Sequence, residues 1–288
     1  MSDLAELIKT GAETLKAAGI PEPGREAASL LAFAICKDRT FLIAHPENVP
    51  DKAASDRYLK FIDRRAGREP FHYIVGTKEF FGLDFKVSPA VLIPRPETEM
   101  LVEQAVDFLA GRMGAVFCEV GVGSGCISIS VLIHSPHANA VGLEISDSAI
   151  VIARENTSIH GVEDRLDVRK SDLFASLIEK ERFDLIVSNP PYISIADFAR
   201  LEPDVREFEP QTALTDQGDG LSVIRRMVKN APGYLKEDGL LIIEIGYDQA
   251  DEVVDLLNGG PWKDVAARAD FQGIRRTVSA VFDKMKHW

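Results

Sequence analysis

Apolar residues at Leu4, Leu7, Ile8, Leu15 and Ala18 repeat at the spacing of one helix face, and Gly19 with Pro21 stops the run. Ala27, Ala28, Leu30, Leu31 and Ala34 predict a second helix over 25–37. Tyr58, Leu59 and Ile62 predict a third over 51–68. In 78–87 apolar and polar residues roughly alternate about Gly82, which predicts a β-hairpin. The stretch 91–99 then leads into a helix running to about Leu109. Pro96 stands near its start, and Glu97 and Glu99 suit the positive end of its dipole.

From Ala115 the pattern becomes alternating strands and helices. Strands are expected at 116–120, 140–145, 166–169, 183–187, 240–245, 262–267 and 277–282. Helices are expected from the glycine loop to about His134, then over 147–160, 221–234 and 249–257, with Asp147 a candidate cap. Such alternation implies an α/β fold with a mostly parallel, doubly wound sheet. The expected domains are a helical unit at 1–77, a hairpin linker at 78–93 and the α/β body at 94–288.

The chain has 288 residues, which suits one to two domains, and 45% are hydrophobic, ample for a globular core. A net charge of -12 with no long Lys/Arg run argues against a bulk nucleic-acid binder, whose affinity rests on neutralising phosphates. No apolar run reaches membrane-spanning length, and residues 1–6 lack the features of a signal peptide. Cys36, Cys118 and Cys126 have no metal-ligand spacing, so no metal is expected and a reducing, cytoplasmic setting fits. Cys118 and Cys126 read as small buried packing residues.

Two stretches carry chemistry. The first, Gly121-Val122-Gly123-Ser124-Gly125, lies between a strand and a helix, where glycines permit a tight turn and close approach of backbone to ligand. A dinucleotide fingerprint wants its third small residue at 126, where Cys126 stands. The spacing, with Glu119 just before it, instead resembles the S-adenosylmethionine loop of class I methyltransferases. Glu144, closing the next strand, can accept from both ribose hydroxyls of either cofactor type. Asp172 can accept from an adenine amine with Leu173 beside the ring, or can simply cap a helix. Acidic residues around the loop suit a sulfonium cofactor without phosphate.

The second stretch, Ser188-Asn189-Pro190-Pro191-Tyr192-Ile193, ends an apolar strand. Two prolines cannot continue the ladder and they fix φ. A carboxamide, a stiff carbonyl and a ring are thus presented at a carboxyl strand edge, where open α/β sheets bind ligands. The Asn189 side-chain oxygen and the Pro190 carbonyl are two acceptors that can grip both hydrogens of one conjugated NH2. Pro191 and the Tyr192 ring complete a substrate wall, and Asn189 also borders the cofactor loop. The alternative is a tight turn with a capping Asn.

These residues resemble the release factor glutamine methyltransferases (PrmC/HemK). The matching stretches are Arg68-Glu69-Pro70, Tyr73-Ile74, Phe80-Phe81-Gly82, 91–99, the glycine loop and 189–193. Glu209-Pro210, 218–221, Glu244-Ile245-Gly246 and Asp270 with Gly273 also fit. Glu119, Val122 and Glu144 stand where the family more usually has Asp, Thr and Asp. The resemblance implies a Rossmann-like methyltransferase sheet behind a helical domain that helps dock the substrate. It implies transfer from S-adenosylmethionine to the side-chain nitrogen (N5) of the glutamine in the Gly-Gly-Gln loop of class 1 peptide chain release factors. The product cofactor is S-adenosylhomocysteine, and no membrane or direct nucleic-acid partner is expected. In this reading Asn189 and Pro190 are the catalytic pair, orienting the amide so that no dedicated base is needed. Phe80, Arg95 and Glu97 help shape the pocket or serve only packing and ion pairing. Asn-Pro-Pro-Tyr is shared with DNA and RNA exocyclic-amine methyltransferases, which remain the main alternative. A non-enzymatic adenosyl-binding protein and a nicotinamide oxidoreductase are further alternatives.

Overall fold

The computed structural model describes residues 2–286; Met1, His287 and Trp288, at the outer ends of the expected domains, lie outside them. Contacts divide the chain into two compact units. One runs to Thr77 and takes in Glu202–Phe208, and the other holds Lys78–Leu201 and resumes at Glu209.

The first unit contains α1 (Leu4–Ala17), α2 (Pro23–Ala34), α3 (Arg39–Ala44), α4 (Lys52–Ala66) and α5 (Phe71–Val75). Asp3, Asp38 and Asp51 each cap a helix by accepting a backbone N–H three residues on. Leu4, Leu15, Leu30, Leu31, Tyr58 and Ile62 form the core. The buried Tyr58 hydroxyl is satisfied by the Leu7 carbonyl at 3.1 Å. Arg65 is also buried; it donates to Glu26 at 2.5 Å and to Asp204 at 2.8 Å. Two acidic partners are what a buried guanidinium requires. The helices α3 and α5 were not expected, because six and five residues are too few to show a helical period.

β1 (Thr77–Phe80), which lies in the second unit from Lys78 on, and β2 (Leu83–Lys86) form the expected hairpin. Its two turn residues, Phe81 and Gly82, have φ of 52° and 74°, the positive values that match the twist of the strands. There follow α6 (Glu99–Leu109), β3 (Val116–Val120), α7 (Cys126–His134), β4 (Asn139–Glu144), α8 (Asp147–Ile159), β5 (Leu166–Lys170) and β6 (Phe183–Ser188). Three short helices come next: α9 (Ile195–Phe198), α10 (Pro203–Phe208), which belongs to the first unit, and α11 (Gln211–Leu214). The chain ends with α12 (Ser222–Asn230), β7 (Leu235–Glu244), α13 (Ala250–Asn258), β8 (Trp262–Ala269) and β9 (Arg275–Phe282).

The seven strands are ordered β5-β4-β3-β6-β7-β9-β8. β5, β4, β3, β6 and β7 run parallel, and β9 and β8 add an antiparallel edge. The order of the strands reverses between β3 and β6, the switch point at which such sheets bind ligands. Successive residues face opposite layers: Phe117, Leu185 and Val187 pack into one core, and Cys118, Val120 and Ile186 into the other. Each fully buried side chain of this size stabilises by roughly 1.5–3 kcal/mol.

Three expectations are corrected in detail. Ser146, not Asp147, caps α8, accepting from Ala149 N at 3.3 Å. The helix expected over 221–234 stops at Asn230 and becomes a 3-10 turn at Ala231–Gly233, where Pro232 lacks the N–H needed to continue. β7 starts at Leu235, five residues before the apolar run that marks it in the sequence. No helix among the described residues is long and apolar enough to cross a membrane.

Candidate active site

A cavity of about 360 Å³ opens at the carboxyl ends of β3, β4 and β6, within the second unit. Its floor is the glycine loop. Gly121, Gly123 and Gly125 have φ of 79°, 56° and 82°, where a Cβ is strained, so the turn from β3 into α7 depends on them. Val122 and Ser124 sit between them and also line the cavity. Glu144, at the end of β4, holds the loop from one side. Its Oε2 accepts from Gly123 N at 2.9 Å and its Oε1 from Ser146 N at 2.9 Å. A carboxylate has about four acceptor positions, so capacity remains for a ligand.

Glu119 reaches the same cavity from β3 and is fully buried. Its Oε2 accepts from Ser128 N at 2.9 Å and from the Ser128 hydroxyl. Its Oε1 is buried with no partner among the described residues. Burial pushes this carboxyl up to about 8, against the Ser128 hydrogen bonds and with the help of Glu144. An orphaned acceptor of this kind fits a cationic ligand group.

Asp172 and Leu173 lie on the wall beyond β5. The Asp172 carboxylate pairs with Arg226 at 2.8 Å and among the described residues caps no helix; the Ser171 hydroxyl accepts the nearby Ser176 N–H instead.

The opposite wall is the corner after β6. Ser188 pairs Val120 on one side and Ile243 on the other, so Asn189 leaves the sheet between Gly121 and Glu244. The buried Ser188 hydroxyl donates to the Val120 carbonyl at 2.7 Å and latches the two strand ends together. Asn189 donates its Nδ2 to Thr98 Oγ1 at 3.1 Å. Among the described residues no group donates to Asn189 Oδ1 or to the Pro190 carbonyl. Asn189, Pro190 and Pro191 all line the cavity.

Tyr192 is placed differently from the other three. It does not line this cavity; its ring packs against the second core layer and its hydroxyl donates to Glu244 Oε1 at 3.1 Å. Burial, with Glu244 beside it, raises the phenol pKa, so it stays a donor. Gln249 Nε2 fixes the Tyr192 carbonyl at 2.9 Å, and Ile193 N bonds the Leu214 carbonyl at 3.0 Å. Asp216 accepts from the amides of Gly218, Gly220 and Ser222, which hold its carboxyl below the usual range despite partial burial.

Sequence reasoning gave several of these side chains no role. Thr98 borders the cavity and takes the Asn189 amide hydrogen. Glu244, buried at the end of β7, takes the Tyr192 hydroxyl. Buried Glu209 accepts from Arg95 Nη2 at 2.5 Å and Ile93 N at 3.1 Å, and so pins the 93–95 wall. An acid closing an apolar strand run is the one local signal that marks Glu244.

Two family descriptions match the chain: "PrmC N-terminal domain" over residues 6–76 and "methyltransferase small domain" over residues 98–200. The release factor glutamine methyltransferase of Geobacter sulfurreducens is 43% identical over 263 residues, covering 90% of each chain. That of Cereibacter sphaeroides is 39% identical over 277 residues, covering 96% of this chain and 97% of the relative. A methyltransferase structure from Pyrococcus furiosus shares the fold, with a TM-score of 0.54 at 16% identity over 77% of this chain and 99% of that one. At such identity and coverage, the chain belongs to the release factor glutamine methyltransferase family.

Proposed function

We propose that this chain uses S-adenosylmethionine to methylate the side-chain amide nitrogen of the glutamine in the Gly-Gly-Gln loop of class 1 peptide chain release factors. When bound, that cofactor supplies an electrophilic methyl group on a sulfonium. The residues present fit it. Glu119 Oε1, buried without a partner, suits the ammonium of the methionyl end. The spare acceptor capacity of Glu144 suits the ribose hydroxyls, and Asp172 with Leu173 the adenine. Asn189 borders both cofactor and substrate.

One observation carries the reading of the acceptor. The Asn189 NH2 is already used by Thr98, so its carboxamide oxygen is available beside the Pro190 carbonyl. An amide nitrogen is a poor nucleophile, because its lone pair is conjugated with the carbonyl. Two acceptors on its two hydrogens turn that lone pair toward the electrophile, and placement is the main barrier to lower. The same acceptors stabilise the positive charge that grows on nitrogen in the transition state. The methylated nitrogen is acidic enough to lose its proton to water, so the chain need not supply a base. Pro191 stiffens this corner, and Tyr192 supports it from behind through Glu244.

We assign docking of the release factor to the first unit, where Phe33, Ile43 and Val49 expose apolar side chains. The test is mass spectrometry of a purified class 1 release factor incubated with the protein and methyl donor. One added methyl on the loop glutamine is expected. Methylation of a nucleic acid in a parallel reaction, with none on the release factor, would replace this reading.

A further inference from the structure

Glu244 is buried, with 2% of its surface exposed, and one of its oxygens, Oε2, has no hydrogen-bond partner among the described residues. It stands next to the Asn189 corner because Ile243 is the register partner of Ser188. Its Oε1 accepts from the Tyr192 hydroxyl, and the Thr98 hydroxyl, close enough to lower the carboxyl's pKa, is the donor placed to serve the open Oε2. Thr98 is also the acceptor for Asn189 Nδ2. A hydroxyl has one hydrogen to give. When that hydrogen is directed to an acceptor-only carboxylate, the Thr98 oxygen is left to accept, and only the NH2 end of Asn189 can satisfy it.

We propose that Glu244 is a positioning residue for methyl transfer, its carboxylate setting, through the Thr98 hydroxyl, which end of the Asn189 carboxamide faces the acceptor amide. This rests on the reading of Asn189 given above. Protonation reverses the polarity of the chain of hydrogen bonds. A neutral Glu244 can donate to Thr98, freeing the Thr98 hydrogen for Asn189 Oδ1, so that Asn189 turns its NH2 toward the substrate NH2. Two donors then confront each other and the grip is lost.

The charged and titratable neighbours are few. Glu97, in the turn before α6, raises the Glu244 pKa, and Arg276 in β9 lowers it. Arg276 is itself paired with Asp270 at 3.0 Å. The Tyr192 phenol and the buried Cys126 thiol are both shifted upward and stay neutral. Burial dominates and pushes the Glu244 carboxyl up to about 7.

The experiment is the pH profile of kcat at saturating cofactor, with release factor as substrate. Wild-type kcat should fall as pH drops through about 7. Glu244→Gln, which no longer titrates, should lower kcat roughly tenfold, flatten that limb and leave KM and cofactor Kd nearly unchanged. Thr98→Val should lower kcat similarly while Thr98→Ser restores it, and the Glu244→Gln/Thr98→Val pair should be no worse than either alone. Thr98→Val keeps the carboxylate, so it decides the matter if Glu244→Gln does not fold. A flat wild-type profile, a wild-type inflection in Glu244→Gln, or wild-type kcat in Thr98→Val overturns the proposal. An Asn189→Ala variant as active as wild type removes the underlying reading and this proposal with it. An unchanged Glu244→Gln beside an inactive Asn189→Ala removes the proposal alone.

Discussion

Asn189 and Thr98, 91 residues apart, meet through a 3.1 Å hydrogen bond in which the carboxamide is the donor. In the proposed reaction that bond decides what the site offers a substrate. With its NH2 occupied, Asn189 presents an oxygen, and the neighbouring Pro190 carbonyl presents a second. Sheet register puts both next to the glycine loop, since Val120 and Ser188 are partners.

With Glu119 receiving the cofactor's ammonium as proposed, cofactor binding should depend on pH. Its carboxyl is pushed up to about 8 by burial, so at pH 7 it holds a proton that a bound ammonium would expel. Calorimetry at pH 7 in buffers of different ionisation enthalpy should therefore show proton release on cofactor binding, and affinity should rise with pH up to about 8. Glu119→Gln should release none. Stability runs the other way. A folded pKa above the unfolded value of about 4.3 means the folded chain binds more protons between the two. The stabilisation is complete below the unfolded pKa and is lost as pH rises through about 8. The Tm of Glu119→Gln relative to wild type should thus rise between about pH 5 and pH 9. A constant difference would contradict the buried, protonated state.

Gly220 should not tolerate a side chain. Its φ is +85°, and an added Cβ would lie 2.3 Å from the Tyr192 carbonyl oxygen and 2.9 Å from Gln249 Nε2. Gly220→Ala should cost roughly 1–3 kcal/mol by overpacking alone, with strain in addition. It should also disturb the carbonyl that follows the Asn-Pro-Pro corner. Denaturant unfolding and single-turnover transfer read the two effects, and wild-type behaviour in both would contradict this packing.

Ile43 tests the docking role of the first unit. Its side chain is 80% exposed on α3, so a charge there costs little stability. Ile43→Asp should raise KM for the release factor severalfold while cofactor Kd and the Tm stay near wild type. An unchanged KM would move the docking surface elsewhere on the first unit or off it.

What could be read along the chain, and what could not, follows from the range of the interactions. Gly121, Gly123 and Gly125 need positive φ, and Pro190 and Pro191 forbid a continued strand; both are properties of single residues and are visible in order. The strands of the sheet show as apolar runs for the same reason. Thr98 and Glu244 meet Asn189 and Tyr192 only because α6, β6 and β7 are neighbours in three dimensions, 91 and 52 residues apart in sequence. No periodicity carries that information. Membership of residues 202–208 in the first unit is equally non-local: it includes the ion pair of buried Arg65 with Asp204, 139 positions on.

Asn189→Ala tests whether this carboxamide aims the acceptor nitrogen. Single-turnover methyl transfer to a purified release factor, with cofactor Kd measured on the same sample, separates chemistry from binding. Losing an oriented acceptor should cost roughly 2–4 kcal/mol of transition-state stabilisation, a rate about thirty- to a thousandfold lower, with Kd little changed. A wild-type rate in Asn189→Ala would contradict the claim that this carboxamide aims the acceptor nitrogen.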